Sequence, residues 1–111
     1  DGAKHSPQFT NTEEVADMNV RVAFLPIGES SIELLEPLSS DSVIAKFIEK
    51  QGEGIHHICI EVQDIEESLK KFKKQNLQLV YDKPKKGAKN TLVNFIHPKS
   101  THGVLIEICQ K

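Results

Sequence analysis

The chain has 111 residues, 14 Lys+Arg against 16 Asp+Glu and a formal charge of −2, so it lacks the basic footprint that nucleic-acid binding needs. At 38% hydrophobic and 27% charged, with no apolar run near the ~18 residues of a membrane span, it reads as one globular domain without a membrane partner. Its two cysteines, Cys59 and Cys109, show no CxxC spacing, which excludes a disulfide framework and a cysteine zinc site and suits a reducing intracellular compartment.

Residues 1–19 carry Pro7, small polar residues and no sustained apolar period, which predicts loop with at most a short turn over residues 13–17. Val20, Val22 and Phe24 form a β-branched and aromatic run that stops at Pro26, Ile27 and Gly28, and residues 31–36 resume as a second run containing Glu33; two adjacent antiparallel strands follow from this. Ser40 or Asp41 is placed to cap a short helix with apolar Val43, Ile44, Phe47 and Ile48, stopped by Gly52 and Gly54.

From Ile55 the pattern starts again. Residues 55–62 read as a strand, and Asp64 with Glu67 forms a capping box for a helix whose apolar stripe is Ile65, Leu69 and Phe72. Lys70, Lys71, Lys73 and Lys74 read as its solvated face. Residues 77–81, 92–96 and 104–109 read as three further strands, giving a βαβββ unit. The first unit closes on a similar pattern of two apolar strands with a Glu in the last, so the expected class is α+β: paired βαβββ modules in a single domain over 1–111. Residues 1–54 make a partial first module with a linking helix, and 55–111 a complete second one.

A carboxylate within an apolar strand is costly unless paired or metal-bound, so Glu33 and Glu107 each ask for a reason. By strand parity Leu105, Glu107 and Cys109 face away from the helix, as do His57, Cys59 and Glu61. If the last strand inserts parallel beside the first, one register pairs His57 with Glu107 and Cys59 with Cys109, because both pairs have the same separation. An imidazole and a carboxylate side by side, with Glu33 from the other unit, make an N,O-ligand set for a divalent metal. His56 falls on the helix-packing face and reads as structural, while His97 and His102 flank a turn. Lys83, Lys85, Lys86 and Lys89 lie in a Pro/Gly loop, either solvated or placed to meet phosphates.

The segments Gly54-Ile55-His56-His57-Ile58-Cys59, Ile32-Glu33-Leu34-Leu35-Glu36-Pro37-Leu38, and His97-Pro98-Lys99-Ser100 leading to Gly103-Val104-Leu105-Ile106-Glu107 resemble the methylmalonyl-CoA epimerases of the vicinal oxygen chelate superfamily. The resemblance runs from about Val20 to the C-terminus. It implies an open cup around a divalent metal, cobalt or zinc, in an intracellular homodimer of cytoplasm or mitochondrial matrix. The activity it implies is interconversion of (2R)- and (2S)-methylmalonyl-CoA by metal-assisted C2 proton abstraction through an enolate, with no further cofactor. Matched by position, His57, Glu107 and Glu33 fall on family metal ligands, and Glu107 and Glu33 are the expected proton-transferring bases, with Glu61 or an upstream residue as the alternative second base. The family's further His from the first strand of module one has no counterpart here, so the opening βα of that module is expected upstream of Asp1; His5, in a Pro-containing loop without a strand around it, is no replacement. A glyoxalase-like isomerase and a non-catalytic binding module are the competing readings.

Overall fold

The computed structural model describes residues 11–111, and the chain divides into two compact units, Asp1–Gly52 and Glu53–Lys111. His5 lies outside the described residues. Among those described, no helix is long and apolar enough to cross a membrane.

The first unit is an antiparallel meander, β1 (Asn11–Val15), β2 (Val20–Ile27) and β3 (Ser30–Pro37), followed by α1 (Val43–Gln51) against β3. Residues 11–15, expected as loop, form an edge strand paired with β2. Their sequence is mostly polar, so no apolar period announces a strand; the free backbone edge of β2 supplies the pairing partner. In β2 the alternate residues Val20, Val22 and Phe24 are buried, the period-2 pattern of a strand with one covered face. Ile27 pairs with Ser30, leaving the two-residue turn Gly28-Glu29, and the φ of 60° at Gly28 is the conformation a hairpin of this length asks of its first turn residue. Helix α1 is capped by Ser42, whose side chain accepts from the Ile44 N–H. The cap therefore falls just beyond the expected Ser40 or Asp41, and Gly52 closes the helix at a φ of 76°, where a Cβ is disfavoured.

The second unit contains β4 (Ile58–Glu61), α2 (Ile65–Lys74), β5 (Lys85–Lys86), β6 (Leu92–Ile96) and β7 (Ile106–Gln110), in the spatial order β4-β7-β6-β5. The last strand inserts parallel beside the first, and the remaining pairings are antiparallel. Asp64 caps α2 by accepting from the Glu67 N–H at 3.1 Å. Ile65 and Leu69 of α2 meet Ile96 and Ile108 in the core, with Val62, Phe72, Leu77, Leu79 and Ile106 around them. Ile58 and Ile60 share this face by register but remain 55% and 50% exposed, because α2 packs on the β7 side of the sheet.

Two expectations change here. Residues 77–81 do not form a regular strand: Leu79 bridges Ile96, Val80 N–H donates to the Phe95 carbonyl at 2.9 Å, and His97 N–H donates to the Gln78 carbonyl at 2.8 Å. At Tyr81 the buried Asn94 side chain takes over, accepting from the Tyr81 N–H at 3.1 Å and donating to its carbonyl at 3.0 Å. A side-chain amide thus replaces the ladder, and regular pairing resumes only at Lys85.

The second change is register. Cys59, not His57, lies opposite Glu107, and Glu61, not Cys59, lies opposite Cys109. The slip is two residues, so every side chain keeps its face.

Candidate metal centre

In the second sheet Cys59, Glu107 and Phe95 form one cross-strand row, and Glu61, Cys109, Val93 and Lys85 the next. All lie on the face opposite α2. The chain reaches this face at Ile55-His56-His57, which precedes β4 as irregular backbone. Freed from strand alternation, His56 and His57 turn toward each other, Nδ1 to Nδ1 at 3.0 Å, with their rings edge-on.

His57 Nε2 lies 2.7 Å from Glu107 Oε1. The contact is diagonal, reaching two residues along the strand from Cys59, the partner that register gives Glu107. Both side chains are largely shielded, at 12% and 14% exposure, so their interaction is less screened than a surface pair. Phe95 backs the imidazole, its ring edge-on to His57 at 5.8 Å, and Tyr81 packs edge-on against the other side of Phe95 at 6.0 Å. Burial, reinforced by His57, pushes His56 below the ordinary histidine value against the opposing pull of Glu107. Burial, with the Glu107 carboxylate adding to it, pushes the Tyr81 phenol up. His56 is thus held toward the neutral form, in which one ring nitrogen donates and the other accepts. It therefore supports whichever tautomer its neighbour takes.

Glu33 occupies the corresponding place in the first unit. It lies opposite Phe24 in the β2–β3 pairing, as Glu107 lies opposite Phe95 in the β6–β7 pairing. Each glutamate therefore shares a sheet face with a phenylalanine of the preceding strand, and Glu33 shares its face with Val22 and Leu35 as well. An imidazole nitrogen and a carboxylate oxygen already within hydrogen-bonding distance, both partly shielded, are donors of the kind a divalent ion takes. Both cysteines are thiols, and their positions on adjacent strands are offset rather than opposite.

The turn after β6 has a local structural task. His97 Nδ1 accepts from the Lys99 N–H at 3.0 Å and caps a 3-10 turn over Pro98–Ser100, while Ser100 Oγ accepts from the Gln78 N–H at 2.9 Å. The aromatic wall of Phe95 and Tyr81 was not singled out from sequence. Strand parity carried the signal for Phe95; the irregular backbone at Tyr81 concealed the rest.

Residues 2–95 match the model of the Glyoxalase/Bleomycin resistance protein/Dioxygenase superfamily. The ethylmalonyl-CoA/methylmalonyl-CoA epimerase of Cereibacter sphaeroides is 40% identical over 100 residues, 88% of this chain and 75% of that one. The mitochondrial methylmalonyl-CoA epimerase of Mus musculus is 38% identical over 104 residues, 93% of this chain and 58% of its own, so the chain spans just under three-fifths of that relative's length. A variant of Streptomyces coelicolor methylmalonyl-CoA epimerase in complex with 2-nitronate-propionyl-CoA superposes with a TM-score of 0.92 at 31% identity, covering 98% of this chain and 82% of that structure. The sheet that sets an imidazole against a carboxylate, the glutamate repeated opposite phenylalanine in both units, and these relatives agree: the chain belongs to the methylmalonyl-CoA epimerase family of the glyoxalase, or vicinal oxygen chelate, superfamily.

Proposed function

We propose that this chain is an epimerase that interconverts (2R)- and (2S)-methylmalonyl-CoA by moving the C2 proton. The observation that carries the reading is the 2.7 Å contact of His57 with Glu107 on a sheet whose partner unit repeats the glutamate at Glu33 in the same Phe-opposed position. His57, Glu107 and Glu33 are the residues proposed to hold a divalent ion, cobalt or zinc. When bound, such an ion supplies positive charge that favours the electron-rich form of the thioester.

The protein's own groups do the proton work. A C2 proton between a thioester and a carboxylate is weakly acidic, so it needs a base held close and oriented. Glu107, fixed against His57, takes or returns that proton on one face of the planar enolate, and Glu33 does so on the other. Two bases are needed because inversion removes the proton from one face and delivers it to the opposite one. Phe95 and Phe24 each stand opposite one of the two carboxylates on the same sheet face. Intracellular placement, in cytoplasm or mitochondrial matrix, and a homodimer go with this reading.

The test is C2 hydrogen–deuterium exchange in methylmalonyl-CoA, run beside metal analysis of the purified protein. Exchange with inversion supports the epimerase. Conversion of a glutathione adduct instead supports the glyoxalase-like alternative, and loss of both with no bound metal supports a non-catalytic binding module.

A further inference from the structure

The four loop lysines, Lys83, Lys85, Lys86 and Lys89, look equivalent in sequence, and the sheet separates Lys85 from Lys86. Lys85 pairs with Val93, which pairs with Cys109, so its side chain leaves the sheet on the face that carries Glu107. Lys86 pairs with Leu92 and points to the other side. Lys83 lines a groove on that other side with Leu69, Lys70 and Lys73 of α2, together with Glu66, Asp82 and Leu92. Lys85 is also anchored: its Nζ sits 4.3 Å from the centroid of the Tyr81 ring, the ring that packs on Phe95.

Lys85 therefore ends a run of side chains that starts at His57 and passes through Phe95 and Tyr81. It stands two strands across from β7, about 10 Å at ordinary strand spacing, and level with Cys109, two residues along from Glu107. A base must touch C2, so the acyl carboxylate stays beside Glu107, and a cation at this remove faces the part of the substrate that leads away from the acyl group. A cation over an aromatic face keeps its charge while losing rotamer freedom, which suits a lysine that waits for an anion.

We propose that Lys85 is a substrate-binding residue that takes a phosphate of the coenzyme A moiety, with Tyr81 as its platform. This rests on the epimerase reading for the identity of the thioester. It adds a binding role on the same face, outside the proton-transfer residues, and separates binding of the coenzyme from chemistry at C2.

The experiment compares wild type, Lys85→Gln, Lys85→Arg and Lys86→Gln, with two thioesters and one turnover-independent probe. Methylmalonyl-CoA carries the phosphates; the methylmalonyl thioester of N-acetylcysteamine lacks them. Lys85→Gln is expected to raise KM for methylmalonyl-CoA roughly 2–5-fold, the scale of a partly exposed charge pair, with kcat unchanged and no effect on the truncated thioester. Lys85→Arg is expected to restore binding, and Lys86→Gln to behave as wild type. Calorimetric binding of propionyl-CoA should weaken by the same factor in Lys85→Gln. An equal loss on both thioesters, or no loss on either, overturns the proposal. Lys85-dependent binding of propionyl-CoA by a protein that exchanges no C2 proton retains this assignment and removes the epimerase reading. Exchange without any dependence on Lys85 does the reverse, and absence of propionyl-CoA binding by wild type removes both.

Discussion

Glu107 meets His57 across a diagonal: its register partner on β4 is Cys59, yet its carboxylate comes within 2.7 Å of the imidazole that precedes the strand. The diagonal leaves both groups on one face with their ends converging, which suits two side chains that share a third partner better than a directly opposed pair does.

Glu107→Gln keeps the shape of the side chain and removes its basicity. C2 deuterium exchange in methylmalonyl-CoA is expected to fall by about 10²–10⁴-fold, the usual worth of a positioned base, with circular dichroism unchanged. Near-normal exchange in a folded variant removes Glu107 as base.

Glu33→Gln separates two roles. The amide oxygen still offers a ligand but cannot accept the C2 proton, so metal content should be retained while inversion stops. Full inversion activity in this variant assigns the second base elsewhere, with Glu61 next to test.

Removal of metal by a chelator should abolish exchange, and readdition of cobalt or zinc should restore it. His56→Ala should weaken metal affinity by about 10–100-fold, because the hydrogen bond that orients the ligating imidazole is lost. Equilibrium dialysis against the same ion reads this directly, and an unaltered affinity rejects the supporting role.

Tyr81 is the single tyrosine of a chain without tryptophan, so tyrosinate absorbance reports it alone. Its midpoint should lie above the ordinary 10.0 and move down toward it in Glu107→Gln, where one of the two causes of the shift is gone. The folded chain holds this proton more tightly than the unfolded chain. The resulting stabilisation is complete below the ordinary tyrosine value and is lost as pH rises through the folded one. A midpoint insensitive to Glu107→Gln separates the phenol from the carboxylate.

Leu69→Ala empties a position in the core of the second unit, where Leu69 packs with Ile65, Ile96 and Ile108. A loss of about 2–5 kcal/mol is expected by chemical denaturation. Gly87→Ala also destabilises, since a Cβ there meets Val93 Cγ1 at 2.8 Å; a neutral effect means the loop shifts freely.

Much of the second unit is legible in sequence because its signals are local. Asp64, Glu67 and the stripe Ile65, Leu69, Phe72 lie within one helix, and alternation along β7 separates Glu107 from Ile106 and Ile108 without reference to any other strand. Face assignment survives an error in register, because a slip of two residues leaves parity intact. That is why the shared face of Cys59, Glu61 and Glu107 was readable while their exact pairing was not.

What the tertiary structure decided depends on partners far away in the chain. Whether residues 77–81 form a ladder was settled by the amide of Asn94, which competes for the backbone of Tyr81, and no local period records such a competition. The mostly polar β1 exists because β2 offers an edge to pair with. That Lys85 rather than Lys86 shares a face with Glu107 follows from where pairing resumes after that interruption, at Lys85 opposite Val93. Composition, capping and alternation are short-range properties and are written residue by residue; register, interruption and side-chain convergence arise only when separate strands meet, because their energies belong to pairs of residues rather than to either one.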